Sequence, residues 1–167
     1  MAAMTTHRPY VNLYTAFPDG AAAMSAFEKV VKSGPVPPTI RELVKVRASQ
    51  INGCAYCLDM HHKDARALGE TEERLYMLPA WREATVYSDE ERAALALTEA
   101  ITLIADGEVP ADVEDEARAR FDEETYAALV FTIVVINAWN RLAITGHSPP
   151  GRYRAKPPEA VEGSAAS

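Results

Sequence analysis

The chain has 167 residues, 48% of them apolar, which is enough for one domain with a sizeable core. Its formal net charge of -7 argues against nucleic acid and anionic membranes as partners, because both require clustered positive charge. The N-terminal stretch has no apolar run that could form a signal-peptide core, so we expect a cytoplasmic protein. Two cysteines in a reducing compartment favour a catalytic or metal-binding pair over a permanent disulfide.

The chain is predicted to be all-α and to form a single domain. Residues 1–18 contain two prolines and no clean hydrophobic period, which indicates an irregular N-terminal arm that packs on the body or on a partner subunit. The helical body is predicted over residues 19–147. Residues 148–167 are rich in Pro, Gly, Ser and Ala, which is typical of an extended, partly disordered tail.

Six to seven helices are predicted in the body from hydrophobic spacing and from start and stop signals. Asp19 and Thr39 are the expected caps of the first two helices, and Ser88 with Glu91 forms a capping box for the fifth. Pro79 interrupts the fourth, which we interpret as a bent connector. The approximate bounds are 19–33, 38–52, 54–68, 71–79, 88–106, 110–121 and 122–145.

The second helix carries an apolar stripe to which Glu42 does not belong. At about 100° per residue, Glu42 points nearly opposite the stripe, beside Ser49, so periodicity alone predicts a solvated carboxylate. The stripe is formed by Ile40, Leu43, Val44, Ala48 and Ile51.

Residues 126–139 of the seventh helix are apolar on nearly every face and could also suggest a buried strand. Helix is favoured, because the segment continues without a break and no other convincing strand exists to pair with it. The segment is too short for a membrane span. We expect it to lie at the centre of the bundle or in a subunit interface, which would make the protein a homo-oligomer.

Cys54 and Cys57 are separated by one turn at the start of the third helix. In helical geometry their Cα atoms lie about 5 Å apart, within the span of a disulfide, and the helix N-terminus stabilises a thiolate there. His61 lies on the same face one turn later and could act as a base. The spacing therefore favours reversible oxidation without a cofactor, although two ordinary buried cysteines and a satisfied core histidine remain alternatives.

Metal and haem chemistry are the competing interpretations of the pair. Zinc could use Cys54, Cys57 and His61, but no second Cys or His pair is present at the usual spacing, so no metal is expected. Leu58 occupies the position where a c-type haem site requires histidine, and the helical period before the first cysteine disfavours a thioredoxin fold. A fourth zinc ligand would have to be recruited from Glu42, His62, His7 or His147.

The spacing Glu42-x11-Cys54-x2-Cys57-x3-His61 resembles the signature of the alkylhydroperoxidase AhpD-like proteins in the carboxymuconolactone decarboxylase family. The later stretch INAWNRLAITGHSPPGRY resembles a phrase of the same proteins, so the likeness covers roughly residues 25–153. It implies an all-helical subunit that associates with copies of itself. It also implies a peroxidase that reduces hydrogen peroxide or organic hydroperoxides and is regenerated by an external dithiol, such as a lipoyl group.

Carried over to this sequence, the resemblance makes Cys57 the thiol that attacks the peroxide and Cys54 the thiol that resolves it. Glu42 and His61 become the proton relay, which implies that Glu42 is buried after all. Alkylhydroperoxidase D has a histidine where this chain has Tyr56, and tyrosine is a much weaker base at neutral pH. The Tyr56 phenol could donate to a bound oxygen or merely pack. The alternatives are a lactone decarboxylase or isomerase of the same family, and a non-enzymatic redox sensor.

Overall fold

The computed structural model describes residues 10–155, and within that range the chain is all-α, as predicted. Its eight α-helices are α1 Leu13–Ala16, α2 Pro18–Lys32, α3 Pro38–Asn52, α4 Ala55–Ala67, α5 Glu72–Met77, α6 Asp89–Thr102, α7 Ala111–Arg120 and α8 Glu123–Thr145. Single 3-10 turns at Leu78–Ala80 and Ile104–Asp106 follow α5 and α6. The fifth predicted helix, residues 88–106, therefore corresponds to α6 followed by the 3-10 turn at Ile104–Asp106.

Helix α3 lies at the centre of the bundle, in contact with α4, α6 and α8. On one side, Val44 packs in a fully buried cluster with Leu97 of α6 and Ile133 of α8. On another side, Val46 packs in a second cluster with Leu78, from the turn after α5. Because the helix is enclosed on several sides, few of its positions can face solvent.

Most predicted helix starts are confirmed, and two predicted caps are wrong. Ser88 and Glu91 form the capping box of α6. The side chains of Asp19 and Thr39, however, do not cap their helices. Both of those helices begin at a proline, Pro18 in α2 and Pro38 in α3, so each polar residue already lies inside the first turn.

The predicted irregular arm contains a short helix, α1. The Asn12 side chain caps it by accepting hydrogen bonds from the N–H groups of Tyr14 and Thr15. Tyr14 also lies against Trp139 of α8, with ring centroids 6.4 Å apart, so this part of the arm packs on the body. Residues 1–9 lie outside the described residues.

Helix α8 confirms the preference for helix over strand in the apolar segment. The apolar segment 126–139 is shorter than a membrane span, as predicted, but it is part of α8, whose 23 residues are long and apolar enough to cross a membrane by length and composition alone. It is nevertheless a core helix: 44% of its most apolar window is buried, and Asn140 is fully enclosed. Phe131 and Val134 are exposed on its other side.

The start of the predicted tail is bound to α4, and we call residues 148–155 the C-terminal strap. The Gly151 N–H donates to Asp59, the Lys63 ammonium donates to the carbonyl of Tyr153, and the Tyr153 hydroxyl donates to Asp64. The described part of this segment thus has defined partners, and residues 156–167 lie outside the described residues.

Candidate active site

The two cysteines lie at the turn between α3 and α4. Gly53 adopts the left-handed conformation with φ 68°, which ends α3 and lets the chain reverse into α4. Cys54 is the N-cap of α4, and its sulfur accepts the Cys57 N–H at 3.3 Å. The residues form a disulfide with a Cα separation of 5.3 Å, as the spacing predicted. Both are 1% exposed.

A buried polar network ties this turn to α8. The Asn52 amide donates to the side-chain oxygens of Asn137 and Asn140, at 2.9 and 2.8 Å. Asn140 in turn donates to the Ser49 hydroxyl at 3.0 Å, and the Ser49 carbonyl accepts the N–H of Cys54. Because each buried polar group has a partner, the network fixes the position of the first cysteine.

Glu42 and His61 form a buried pair beside the disulfide. Nδ1 of His61 lies 2.8 Å from Oε2 of Glu42, and the two side chains are 6% and 8% exposed. The solvated position that periodicity predicted for Glu42 is wrong, because α4 packs on α3 and places His61 against this carboxylate. The structure therefore brings together the four residues Glu42, Cys54, Cys57 and His61.

Glu42 is ionised despite its burial. Burial by itself raises the pKa of this carboxyl, but the hydrogen bond from His61 and the charges of His61, Lys45 and Arg41 lower the pKa below its ordinary value of 4.5. A carboxylate can only accept, so Nδ1 of His61 carries the shared proton. In the neutral imidazole with this tautomer, Nε2 is the nitrogen that carries no proton and can accept one.

A cavity of about 400 Å³ opens beside this pair. Cys57 and His61 line it, whereas Cys54 is not among the described residues of its wall. Tyr14, Met60 and Trp139 supply aromatic and apolar wall area, while the charged side chains on the wall are Glu28, Lys32, Arg41, Glu42, Lys45 and Asp64. Of the two cysteines, only Cys57 borders the described part of this cavity.

Tyr56 also lines the cavity and packs against the cluster that contains both cysteines. Among residues 10–155 its hydroxyl makes no hydrogen bond, so it is not joined directly to Glu42 or His61. Tyr56 thus stands where alkylhydroperoxidase D has its relay histidine, and its side chain packs at the cavity wall.

Two residues that the sequence did not single out also lie at this site. Asp64 lines the cavity, and one of its oxygens lies within 4.8 Å of ligand atoms of both Glu42 and His61. Tyr153 donates its hydroxyl to Asp64 at 2.6 Å. The helical spacing of Asp64, three residues after His61, could have indicated the first of them, since such residues share a face.

The zinc ligands considered from the sequence are only partly available. The disulfide joins the sulfur atoms of Cys54 and Cys57, while Glu42 and His61 lie side by side. Nδ1 of His62 pairs with the carbonyl of Leu58, and His147 stacks on Tyr10. His7 lies outside the described residues.

Comparison with known proteins gives the family. The model of the carboxymuconolactone decarboxylase family matches residues 18–100. The uncharacterized protein YdfG of Bacillus subtilis is 49% identical over 134 residues, which are 80% of this chain and 91% of YdfG. The chain belongs to the carboxymuconolactone decarboxylase family.

Solved structures place the chain among the AhpD-like members of this family. A protein of unknown function from Agrobacterium tumefaciens, described as related to the antioxidant defence protein AhpD, is 36% identical with a TM-score of 0.83. The match covers 87% of this chain and all of that one. The debrominase Bmp8 is 20% identical with a TM-score of 0.74, over 83% of this chain and 74% of its own, and shows the shared fold alone.

Proposed function

We propose that this member of the carboxymuconolactone decarboxylase family is a thiol-dependent peroxidase that reduces hydrogen peroxide or organic hydroperoxides. The observation that supports this most strongly is the position of Cys57. It lines a cavity whose wall also contains the buried Glu42–His61 pair, and it is bonded to a second cysteine outside that wall. An attacking thiol, a base and a resolving thiol are therefore adjacent.

The reaction begins with the reduced pair. The Cys57 thiolate attacks the O–O bond of the hydroperoxide, so that the sulfur gains one oxygen and the other oxygen leaves as an alcohol, or as water when the substrate is hydrogen peroxide. The leaving oxygen needs one proton. His61 takes the thiol proton on Nε2 and returns it to this oxygen, while Glu42 holds Nδ1 and stabilises the transient imidazolium.

The cycle closes through Cys54. Its thiol condenses with the Cys57 sulfenic acid, which forms the disulfide and releases one water. A dithiol from outside then reduces the disulfide by exchange and becomes a disulfide itself. A lipoyl-type dithiol suits this step, since it closes to a ring within one molecule. The proposed cycle uses neither a metal nor an organic cofactor.

Peroxide consumption with a dihydrolipoyl dithiol as reductant tests the proposal. The wild-type protein should turn over many times, and both Cys57→Ser and Cys54→Ser should lose turnover. Peroxide-treated Cys54→Ser should accumulate a sulfenic acid on Cys57 that a dimedone-type trap labels, because the resolving thiol is missing. Cys57→Ser should label poorly.

Other outcomes would redirect the assignment. Sulfenic acid found chiefly on Cys54 in the Cys57→Ser protein would reverse the two roles. A single oxidation without turnover, at all reductant concentrations, would favour a redox sensor. If neither variant is labelled faster than a free exposed thiol, the peroxidase proposal is refuted.

We also propose that the subunit associates with copies of itself through α2 and α8. Phe131 and Val134 are 57% and 43% exposed on α8, and Val30 is 69% exposed on α2. Phe27 of α2 contacts Phe131 edge to face, with ring centroids 6.0 Å apart, so the two helices form one apolar surface. Burying it against a second copy would contribute about 25 cal/mol per Å².

A further inference from the structure

Two carboxylates lie close together at the active site, and each has a different hydrogen-bond donor. Oxygen atoms of Glu42 and Asp64 and a ring nitrogen of His61 all lie within 4.8 Å of one another. Glu42 accepts from His61, whereas Asp64 accepts from the Tyr153 hydroxyl at 2.6 Å. Both side chains offer acceptor oxygens, so each carboxylate is held by a separate donor.

The C-terminal strap is built to present the Tyr153 hydroxyl to Asp64. Gly151 has φ +94°, a conformation that favours glycine, and its N–H donates to Asp59 at 2.9 Å. The Lys63 ammonium donates to the Tyr153 carbonyl at 3.2 Å. The backbone is therefore fixed at and before Tyr153, so its ring needs no further ordering to reach the carboxylate.

Two of the cationic groups on the cavity wall already have acceptors. The Lys45 ammonium pairs with Glu28, and the Arg41 guanidinium donates to the carbonyl of Lys32 and lies 3.6 Å from Glu42. If the Tyr153 hydroxyl is removed, the His61 imidazole is the remaining hydrogen-bond donor within the group formed by Glu42, His61 and Asp64. Asp64 then competes with Glu42 for it.

We infer that Tyr153 is a positioning residue of the active site. Because its hydroxyl donates to Asp64, the His61 imidazole stays hydrogen-bonded to Glu42 and remains available to the Cys57 thiol. The strap, which comes from the far end of the chain, is then part of the catalytic unit. This inference deepens the proposed peroxidase function and rests on it for one of its two readouts.

The test compares Tyr153→Phe with a matched control, Tyr76→Phe. Tyr76 also donates its hydroxyl to a carboxylate, that of Glu72, at 2.8 Å, but it lies on the surface outside the Cys57 cavity. For each reduced variant, the rate of Cys57 oxidation by a hydroperoxide is measured. The pH dependence of Cys57 alkylation by iodoacetamide is recorded by peptide mass spectrometry.

The expected result is a fall of about fivefold in the oxidation rate of Tyr153→Phe, the equivalent of one hydrogen bond of ~1 kcal/mol. Its alkylation midpoint should also move to higher pH, while Tyr76→Phe matches wild type in both measurements. Adding Asp64→Asn to Tyr153→Phe should restore the rate and the midpoint, because a neutral amide competes much less for His61. Rescue of this kind separates positioning from a loss of packing, since Asp64→Asn adds no packing contact.

Equal behaviour of Tyr153→Phe and Tyr76→Phe would overturn the inference. A slower Tyr153→Phe that Asp64→Asn fails to rescue would also overturn it, because the hydroxyl would then act only on the strap. The alkylation profile does not depend on peroxide. The wild type could therefore consume no hydroperoxide while Tyr153→Phe still shows the alkylation shift and Asp64→Asn still reverses it. This result would refute the peroxidase function and support the positioning role.

Discussion

Replacing Glu42 by glutamine tests the proton relay most directly. The substitution keeps the shape of the side chain and an acceptor for the His61 N–H, which lies 2.8 Å away, but it removes the negative charge. A charge-assisted hydrogen bond is roughly twice as strong as a neutral one, so the loss is about 1–2 kcal/mol if Glu42 only orients the ring. This corresponds to about 5–30-fold in rate. If Glu42 also supports proton transfer, the loss is about 10²–10⁴-fold, which is the expected result.

The assay is single-turnover oxidation of the reduced protein, with disulfide formation followed by quenching and mass spectrometry. Glu99→Gln is a suitable control, because Glu99 is also a largely buried carboxylate in ion pairs, with Arg47 and Arg82, but lies outside the Cys57 cavity. It should oxidise at the wild-type rate. A folded Glu42→Gln protein that oxidises as fast as wild type would refute the relay.

The same variant should also change the response to acid. The pKa of Glu42 lies below its ordinary value of 4.5 in the folded chain, so ionised Glu42 favours the folded state above that pH. This contribution is lost as the pH falls from 4.5 through the folded pKa. The difference in the free energy of unfolding between wild type and Glu42→Gln should therefore be largest near neutral pH and shrink below pH 4.5, as measured by urea titration. A difference that is constant across this range would contradict the lowered pKa.

Three further substitutions test the fold and the association of subunits. Ser88→Ala removes the capping box made with Glu91 and should cost about 1 kcal/mol, which lowers the melting temperature by about 2–4 °C in a thermal scan. Asn140→Ala leaves the buried Ser49 hydroxyl without its amide partner and should cost about 1–3 kcal/mol in urea unfolding; a neutral result would mean that the network does not fix the cysteine turn. Phe131→Glu places a charge on the exposed apolar surface and should shift the protein toward monomer in sedimentation velocity, whereas a wild-type monomer at micromolar concentration would remove the oligomer proposal.

The sequence predicts those parts of this fold that depend on local signals. The turn with Cys54 and Cys57, the capping box and the core helix α8 follow from residues a few positions apart. The burial of Glu42 does not, because a helical wheel assumes one buried face and α3 is enclosed by three other helices. The resemblance to AhpD-like proteins did indicate that Glu42 is buried, because it assigns Glu42 to the same site as both cysteines and His61. The contact of Tyr153 with Asp64 joins residues 89 positions apart, and no local period encodes it.

The burial of the disulfide limits which molecules can reduce it. Cys54 and Cys57 are each 1% exposed, and of the two only Cys57 borders the cavity. Thiol exchange requires the incoming sulfur to contact one of these atoms in line with the bond, so the width of the reductant matters as much as its potential. For the peroxidase cycle proposed above, a dithiol at the end of a slender, flexible arm therefore suits this site better than a dithiol fixed on the flat surface of a folded domain.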